Sequence, residues 1–283
     1  MSLQGKKYPF SRAYVEITSV CNRSCSFCPG TRRAPRFMTV AEMAHILGEL
    51  SGLTEYIYLH VMGEPLLHPE IKELISLAAS QGFRCAVTTN ATLIAERGEE
   101  LLDSGVYKVN LSVHSFEDGS EEEYISYING ILEFAERASE RGILTVIRLW
   151  NLGHDGGRND RTVKMLRERF SDEWCEGKRG ARLRHRLHLE YGERFEWPDR
   201  DADYLGDEVF CYGLRDHFGI LSDGTVIPCC LDREGEIALG NVFSAHLSDI
   251  LFSERAKKIC RGFDRREAVE ELCKRCGYAR RFK

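Results

Sequence analysis

Ala13-Tyr-Val-Glu-Ile-Thr18, followed after Ser19-Val20 by Cys21-Asn-Arg-Ser-Cys25-Ser-Phe-Cys28, sets a short β-rich run directly before a loop with three cysteines. Three thiolates this close on one loop can occupy three corners of a 4Fe–4S cube. Such a cube has a fourth iron, which is then left open to an exogenous chelator. The competing reading is a zinc knuckle. Structural zinc takes four ligands, so zinc here requires a distant fourth residue.

Outward from this stretch, β-rich runs recur at 56–61, 84–88, 107–113, 143–149 and 185–191, with helical patterns between them. Thr39-x-x-Glu42 and Ser120-x-x-Glu123 read as capping boxes that start helices. Pro69 suits a first helical turn, and Gly82 and Gly142 suit helix ends. Six β/α repeats in this order imply an α/β fold with a parallel sheet, because each return to the same edge needs a crossover helix. Periodicity alone leaves open whether the sheet curls into a partial barrel.

The pattern changes after about residue 195. Residues 217–228 read as a hairpin with Asp223-Gly224 at its turn. A helix over 244–261 and a shorter one over 265–272 are expected next. This C-terminal part reads as a small α+β module, so the chain divides into 1–195 and 196–283. Cys211-x12-Gly224-x4-Cys229 brackets the hairpin, and Cys273-x2-Cys276 follows. A hairpin brings its ends together, so the two pairs add to four thiolates. That set would saturate one 4Fe–4S cluster or one zinc.

Composition narrows the classes. Of 283 residues, 43% are hydrophobic and 29% charged, which fits a packed core and argues against disorder. A net charge of −5 argues against a nucleic-acid partner, and the basic run 178–186 reads as a solvated face. No stretch approaches 18 apolar residues, so no membrane span is expected. Residues 1–10 lack an apolar segment of the secretory type. Eleven cysteines, an odd number in a chain this long, argue for metal ligation in a reducing compartment over a disulfide framework. Cys85 and Cys175 read as a buried and a loop thiol, and Cys230 and Cys260 as spares, with Cys230 the alternative ligand beside Cys229, which the Gly-x4-Cys spacing favours.

Cys21-x3-Cys25-x-Phe27-Cys28 resembles the signature of the radical S-adenosylmethionine (SAM) enzymes. Met62-Gly63-Glu64-Pro65 follows the second strand, where that family carries a Gly-Gly-Glu methionine-binding motif; Met62 replaces the first glycine. Thr89-Asn90 ends the third strand and Ser112 lies on the fourth, resembling positions that line the SAM site. Arg148 on the fifth strand is a candidate SAM carboxylate partner; without the resemblance it reads as a structural ion pair. The resemblance covers roughly residues 11–191 and implies a partial (βα)6 TIM-like barrel. It also implies that SAM chelates the open iron and is cleaved reductively to a 5′-deoxyadenosyl radical, which removes a substrate hydrogen. The Cys211–Cys229 element resembles the start of the SPASM auxiliary-cluster domain. With no further cysteines after Cys276, it resembles the shortened "twitch" form with one auxiliary 4Fe–4S cluster, as in an aminocyclitol dehydrogenase. The implied cofactors are SAM and two 4Fe–4S clusters, and the implied electron donor is a flavodoxin or ferredoxin.

The substrate is less legible. Polar residues expected at the barrel mouth are His60, His114, Arg148, His188, Glu190 and Arg194; each, taken singly, also reads as solvated or ion-paired. Oxidation after hydrogen abstraction releases a proton, so a base is expected near the site. Glu190 and Arg194, at or just after the sixth strand, are the catalytic candidates; for Arg194 the role is implied by the resemblance to the twitch dehydrogenase, in which an arginine from about this region contacts the reacting hydroxyl. Three readings follow: a dehydrogenase-like enzyme acting on a small metabolite, a peptide or protein maturase, and a non-enzymatic zinc protein that binds a partner. Only about ten residues precede the first strand, so no N-terminal leader-recognition domain is expected. Oxygen destroys exposed clusters, which points to a cytoplasmic enzyme of a low-oxygen setting.

Overall fold

The computed structural model describes residues 7–171 and 173–282. Residues 1–6, on which the absence of a signal segment was partly read, lie outside the described residues. The chain begins with β1 (Arg12–Val15), the cysteine loop and α1 (Val40–Leu50). It then alternates through β2 (Tyr56–Tyr58), α2 (Ile71–Ser80), β3 (Arg84–Thr89), α3 (Ile94–Leu102), β4 (Lys108–Ser112), α4 (Glu121–Glu140), β5 (Leu144–Leu149) and α5 (Arg158–Arg169). A hairpin, β6 (Cys175–Gly177) and β7 (Gly180–Arg184), precedes β8 (Leu187–Tyr191). The C-terminal part holds β9 (His217–Ile220), β10 (Thr225–Ile227), β11 (Gly240–Asn241), α6 (Leu247–Leu251), α7 (Glu254–Asp264) and α8 (Glu271–Lys274).

These strands form one sheet in the order β11-β10-β9-β1-β2-β3-β4-β5-β8-β7-β6. From β9 through β8 every pairing is parallel. Only the flanking hairpins are antiparallel. The sheet is open at both edges, a partial TIM-like barrel of α/β class with the C-terminal strands added to it through β9.

Both capping boxes are present. Thr39 Oγ1 accepts from the Glu42 amide, and Ser120 Oγ from the Glu123 amide, while each glutamate reaches back to its cap amide. The outward strand positions Ala13, Val15, Ile57, Val87, Val109, Leu111, Ile147 and Leu149 are buried against helix residues such as Met43, Ile46, Leu74, Leu101 and Ile131. Truncating one such leucine or isoleucine to alanine costs about 2–5 kcal/mol. The inward positions are different. Tyr14, Tyr58 and Lys108 share one layer by register, and Ser112, Arg148 and Glu190 share another. A filled barrel carries branched aliphatics there; this one carries polar groups around a cavity.

Four expectations change. The sixth strand begins at Leu187 instead of 185, because β6 and β7 form a hairpin folded back on it, with Arg186 at φ 55° making the turn. The basic run is the polar side of that hairpin, alternating with buried Ala181 and Leu183. The helix expected over 244–261 is two helices, because Ser253 is an N-cap whose Oγ accepts from the Ala256 amide at 3.3 Å. The short helix spans Glu271–Lys274, later than expected, since Arg266 at φ 60° breaks the preceding turn. Pro69 stands just before the helix that begins at Ile71.

Candidate functional site: two cysteine sets on one cavity

The loop after β1 is pinned at its ends and along its length. Thr18 bridges to Phe37, and Thr18 Oγ1 donates to the Arg36 carbonyl at 3.0 Å. Further on, Asn22 Nδ2 donates to Thr92 Oγ1 at 2.9 Å and Arg23 to the Ser115 carbonyl at 3.2 Å. Ser26 donates to Glu117 through both its amide and its hydroxyl. The Cys28 amide closes a turn on the Cys25 carbonyl at 3.0 Å. Cys21 is thereby held beside Asn90 after β3 and Cys25 beside Ser115 after β4, while Cys28 packs against the cluster of Val61, Met62, Leu221 and Ile227. Removal from water raises the Cys25 thiol to about 11, with repulsion from Cys28, Glu117 and Cys21 adding to it.

Beside this loop, Gly63 has φ 76°, and a Cβ there would collide with the Thr18 carbonyl oxygen. The Glu64 amide donates to the Val20 carbonyl at 2.8 Å. The Glu64 carboxylate, 2% exposed, accepts from the Leu66 amide at 2.9 Å and the Asn90 amide at 2.6 Å. Burial raises its pKa, and those N–H groups oppose the rise. Asn90 Nδ2 in turn reaches Asn22 at 2.9 Å and the Cys21 sulfur at 4.0 Å. Pro65 opens a 3-10 turn and is buried away from the cavity wall.

The second set is gathered from three places. Gly213 lies beside both Cys211 and Cys229: its amide is 3.4 Å from the Cys211 sulfur, and a Cβ on it would be 3.6 Å from the Cys229 Cβ. The C-terminal return is tied down by the Leu205 amide to the Lys274 carbonyl at 2.9 Å and by Arg275 to the Ala202 carbonyl. Burial first, then repulsion from Cys211, Cys230, Cys273 and Cys276, drives the Cys229 thiol far above its ordinary range. Cys273 is raised in the same way, and Cys276 to about 11. Such a set ionises when a cationic metal group binds it, so the donor chemistry fits a cluster. Among the described residues, no group of three or more His, Cys, Asp or Glu side chains is arranged to hold a single metal ion.

Both sets face one cavity of about 1030 Å³. Its wall includes Cys21, Cys25, Cys28, Cys211, Cys229, Cys273 and Cys276, together with Phe27, Gly63, Glu64, Asn90, Ser112, Arg148, Glu190 and Arg194. His60 and His114 line it as well; His188 does not, because it sits one layer deeper on β8. Burial lowers His60 to about 3 and His114 to about 4, so both are neutral at pH 7. Cys230 lines the cavity against Tyr14, whereas Cys260 lies off the wall with its thiol toward the Leu214 carbonyl.

Arg194 is engaged. It donates to Ser26 Oγ at 3.1 Å and to Glu117 at 3.0 Å, and lies 5.4 Å from the Phe27 ring centre. Arg148 stacks at 4.4 Å on Trp150, with its Nε 3.6 Å from Glu190. A buried carboxylate that was not anticipated joins the cysteine loop to the C-terminal hairpin. Glu16, 0% exposed, takes two bonds from Arg33 at 2.8 and 2.7 Å, and also accepts from the Met62 amide and from Ser222 Oγ at 2.9 Å. A charge inside an apolar strand run was its signal, since a buried carboxylate requires a partner. Tyr14, Tyr58, Lys108 and Trp150 were likewise missed; Lys108 shares the inward parity of Ser112.

Comparison with known proteins identifies both parts of the chain. The model of the radical SAM superfamily matches residues 15–168, and that of the SPASM iron–sulfur cluster-binding domain matches 211–277. A GTP 3′,8-cyclase of Chlorobaculum tepidum is 31% identical over 107 residues, 36% of this chain and 32% of that protein. The chain thus aligns with about a third of the length of such curated relatives. Among solved structures, BtrN in complex with AdoMet and 2-DOIA superposes with a TM-score of 0.61 at 18% identity, covering 96% of this chain and 94% of that one. Streptococcus suis SuiB bound to precursor peptide SuiA gives 0.53 at 16% identity, covering 96% and 71%. At these identities the likeness is one of fold. No helix among the described residues is long and apolar enough to cross a membrane.

Proposed function

Because the chain belongs to the radical SAM superfamily and carries a SPASM iron–sulfur domain, we propose that it oxidises a small metabolite by SAM-dependent hydrogen abstraction, with one auxiliary 4Fe–4S cluster as electron acceptor. The observation that carries this reading is the single cavity shared by both cysteine sets. When bound, SAM and the first cluster supply reductive C–S cleavage and a hydrogen-abstracting radical.

The chain's own residues do the positioning. Cys21, Cys25 and Cys28 hold three corners of the first cluster. Gly63, Glu64 and Asn90 wall the methionine side of SAM, with Glu64 fixing the backbone of Asn90 and Leu66. Phe27 and Ser112 flank the nucleoside. Cys211, Cys229, Cys273 and Cys276 saturate the second cluster, which suits electron transfer better than substrate binding. Glu190, partly exposed on the cavity wall beside Arg148, is the base that accepts the released proton. Arg194, tied to Ser26 and Glu117, positions the cysteine loop. We place the boundary between the two parts near residue 195, and a flavodoxin or ferredoxin as electron donor.

The test is anaerobic reconstitution with iron and sulfide counting, then SAM cleavage with dithionite. Iron in both sites and 5′-deoxyadenosine formation support the reading. Zinc in place of iron and no SAM cleavage replace it with a zinc-binding interaction protein. Cleavage without an oxidised product from any metabolite pool removes the dehydrogenase part. A peptide maturase is then the next reading, favoured by the fold likeness to peptide-bound SuiB, and a mass shift on a co-expressed peptide is its readout.

A further inference from the structure

The inward wall of the barrel carries buried polar atoms that have no hydrogen-bond partner. Arg148 Nε, Trp150 Nε1 and His60 Nδ1 are buried, line the cavity and lack any hydrogen-bond partner. Arginine Nε and indole Nε1 can only donate. Lys108 pairs with Leu144 on the neighbouring strand, two inward positions below Arg148, and faces the same cavity. Its ammonium is disfavoured by removal from water and by Arg148 and Arg12, with Glu190 opposing. The charged groups on this part of the wall are Arg12, Lys108 and Arg148 against Glu190 and Asp216. Asp216 engages Arg12 at 3.4 Å. Glu190 approaches Arg148 at 3.6 Å, too far for a hydrogen bond. Lys108 therefore tips this wall positive. Buried donors without acceptors are costly unless a ligand supplies the acceptors.

We propose that Lys108, Arg148 and Trp150 anchor an anionic oxygen group of the substrate, a carboxylate or a phosphate ester. The proposal rests on the radical-enzyme reading for what counts as substrate. The resemblance offers SAM's own carboxylate as the partner of Arg148. Arg148 shares its layer with Ser112 on the SAM side, but its side chain faces Glu190, Tyr58 and Tyr14, with Lys108 and His60 in the same field, which assigns it to the substrate instead.

The test is calorimetric titration of the reconstituted holoenzyme, saturated with SAM, using inorganic phosphate, malonate or uncharged glycerol at fixed ionic strength. Saturable binding of phosphate or malonate, but not glycerol, is expected, and the tighter of the two assigns the group. Lys108→Gln and Arg148→Gln should each weaken that binding by about ten-fold or more, as for a hydrogen bond to a charged group. Lys108→Gln keeps the result readable if the arginine variant fails to fold. The proposal is overturned if neither anion binds, if both variants bind as the wild type does, or if SAM displaces an anion bound to SAM-free protein. Dithionite-driven SAM cleavage in the same preparation separates the readings. Cleavage without anion binding sinks this proposal alone, whereas no cleavage sinks the radical-enzyme reading beneath it.

Discussion

The two cysteine sites border one cavity but are built in opposite ways. Cys21, Cys25 and Cys28 lie within one loop, and that loop is clamped from outside by Thr92, Ser115, Glu117 and Arg194. Cys211, Cys229, Cys273 and Cys276 come from separate segments and meet only because a hairpin and a C-terminal return are tied together. A local site tolerates distant damage, since its geometry is set by nearby bonds. A dispersed site depends on the packing of everything that brings its members together. The difference also separates roles: three ligands leave a corner of a cube open, and four close it.

The largest expected effects divide the sites directly. Cys25→Ala should abolish 5′-deoxyadenosine formation and lower the iron content by about four per chain, one cube's worth. Cys273→Ala should lower iron by a similar amount yet leave dithionite-driven SAM cleavage intact. Iron analysis and chromatographic 5′-deoxyadenosine assay check both, and loss of all iron from either variant would break the proposed independence. Next comes the link between the cysteine loop and the C-terminal hairpin. Glu16→Gln removes the buried charge and leaves the partly buried Arg33 without its counter-charge, a loss of at most about 3–5 kcal/mol, the cost of breaking a fully buried pair. Urea unfolding of the metal-free protein measures this loss, and a change below 1 kcal/mol, roughly the worth of a surface pair, would show that Glu16 is not the joint.

Smaller effects sharpen the contrast. Gly63→Ala forces a Cβ against the Thr18 carbonyl at a positive φ, a strain of about 1–3 kcal/mol. It should weaken SAM binding, read by equilibrium dialysis, with the auxiliary-site iron unchanged. Cys260→Ala should be the mildest. Its thiol faces the Leu214 carbonyl off the cavity, so the iron content of both sites should match the wild type. If it does not, the four-thiol membership of the second site is wrong.

Much of the barrel was legible because its signals are local. Thr39 with Glu42 and Ser120 with Glu123 cap helices through contacts three residues apart, and both boxes are in place. The β6–β7 hairpin was not legible. β6 is three exposed residues, and β7 alternates Ala181 and Leu183 with Arg182 and Arg184, a pattern dominated by charge, whose pairing partner is β8. The break at Ser253 was hidden because apolar spacing continues across it, while the cap bond depends on a single hydroxyl.

From the order of residues alone came the family, the parallel α/β alternation and both cysteine sets, because ligand spacing on a loop and hydrophobic periodicity are properties of neighbouring residues. Only the folded chain decided that the two sets share one cavity, that Glu16 ties Arg33 to Ser222, and that His60 Nδ1, Arg148 Nε and Trp150 Nε1 are left without hydrogen-bond partners on its wall. Those facts rest on the register of strands distant in sequence. Register determines which side chains share the inner face of a sheet, and a shift of one residue would turn each of them to the other side.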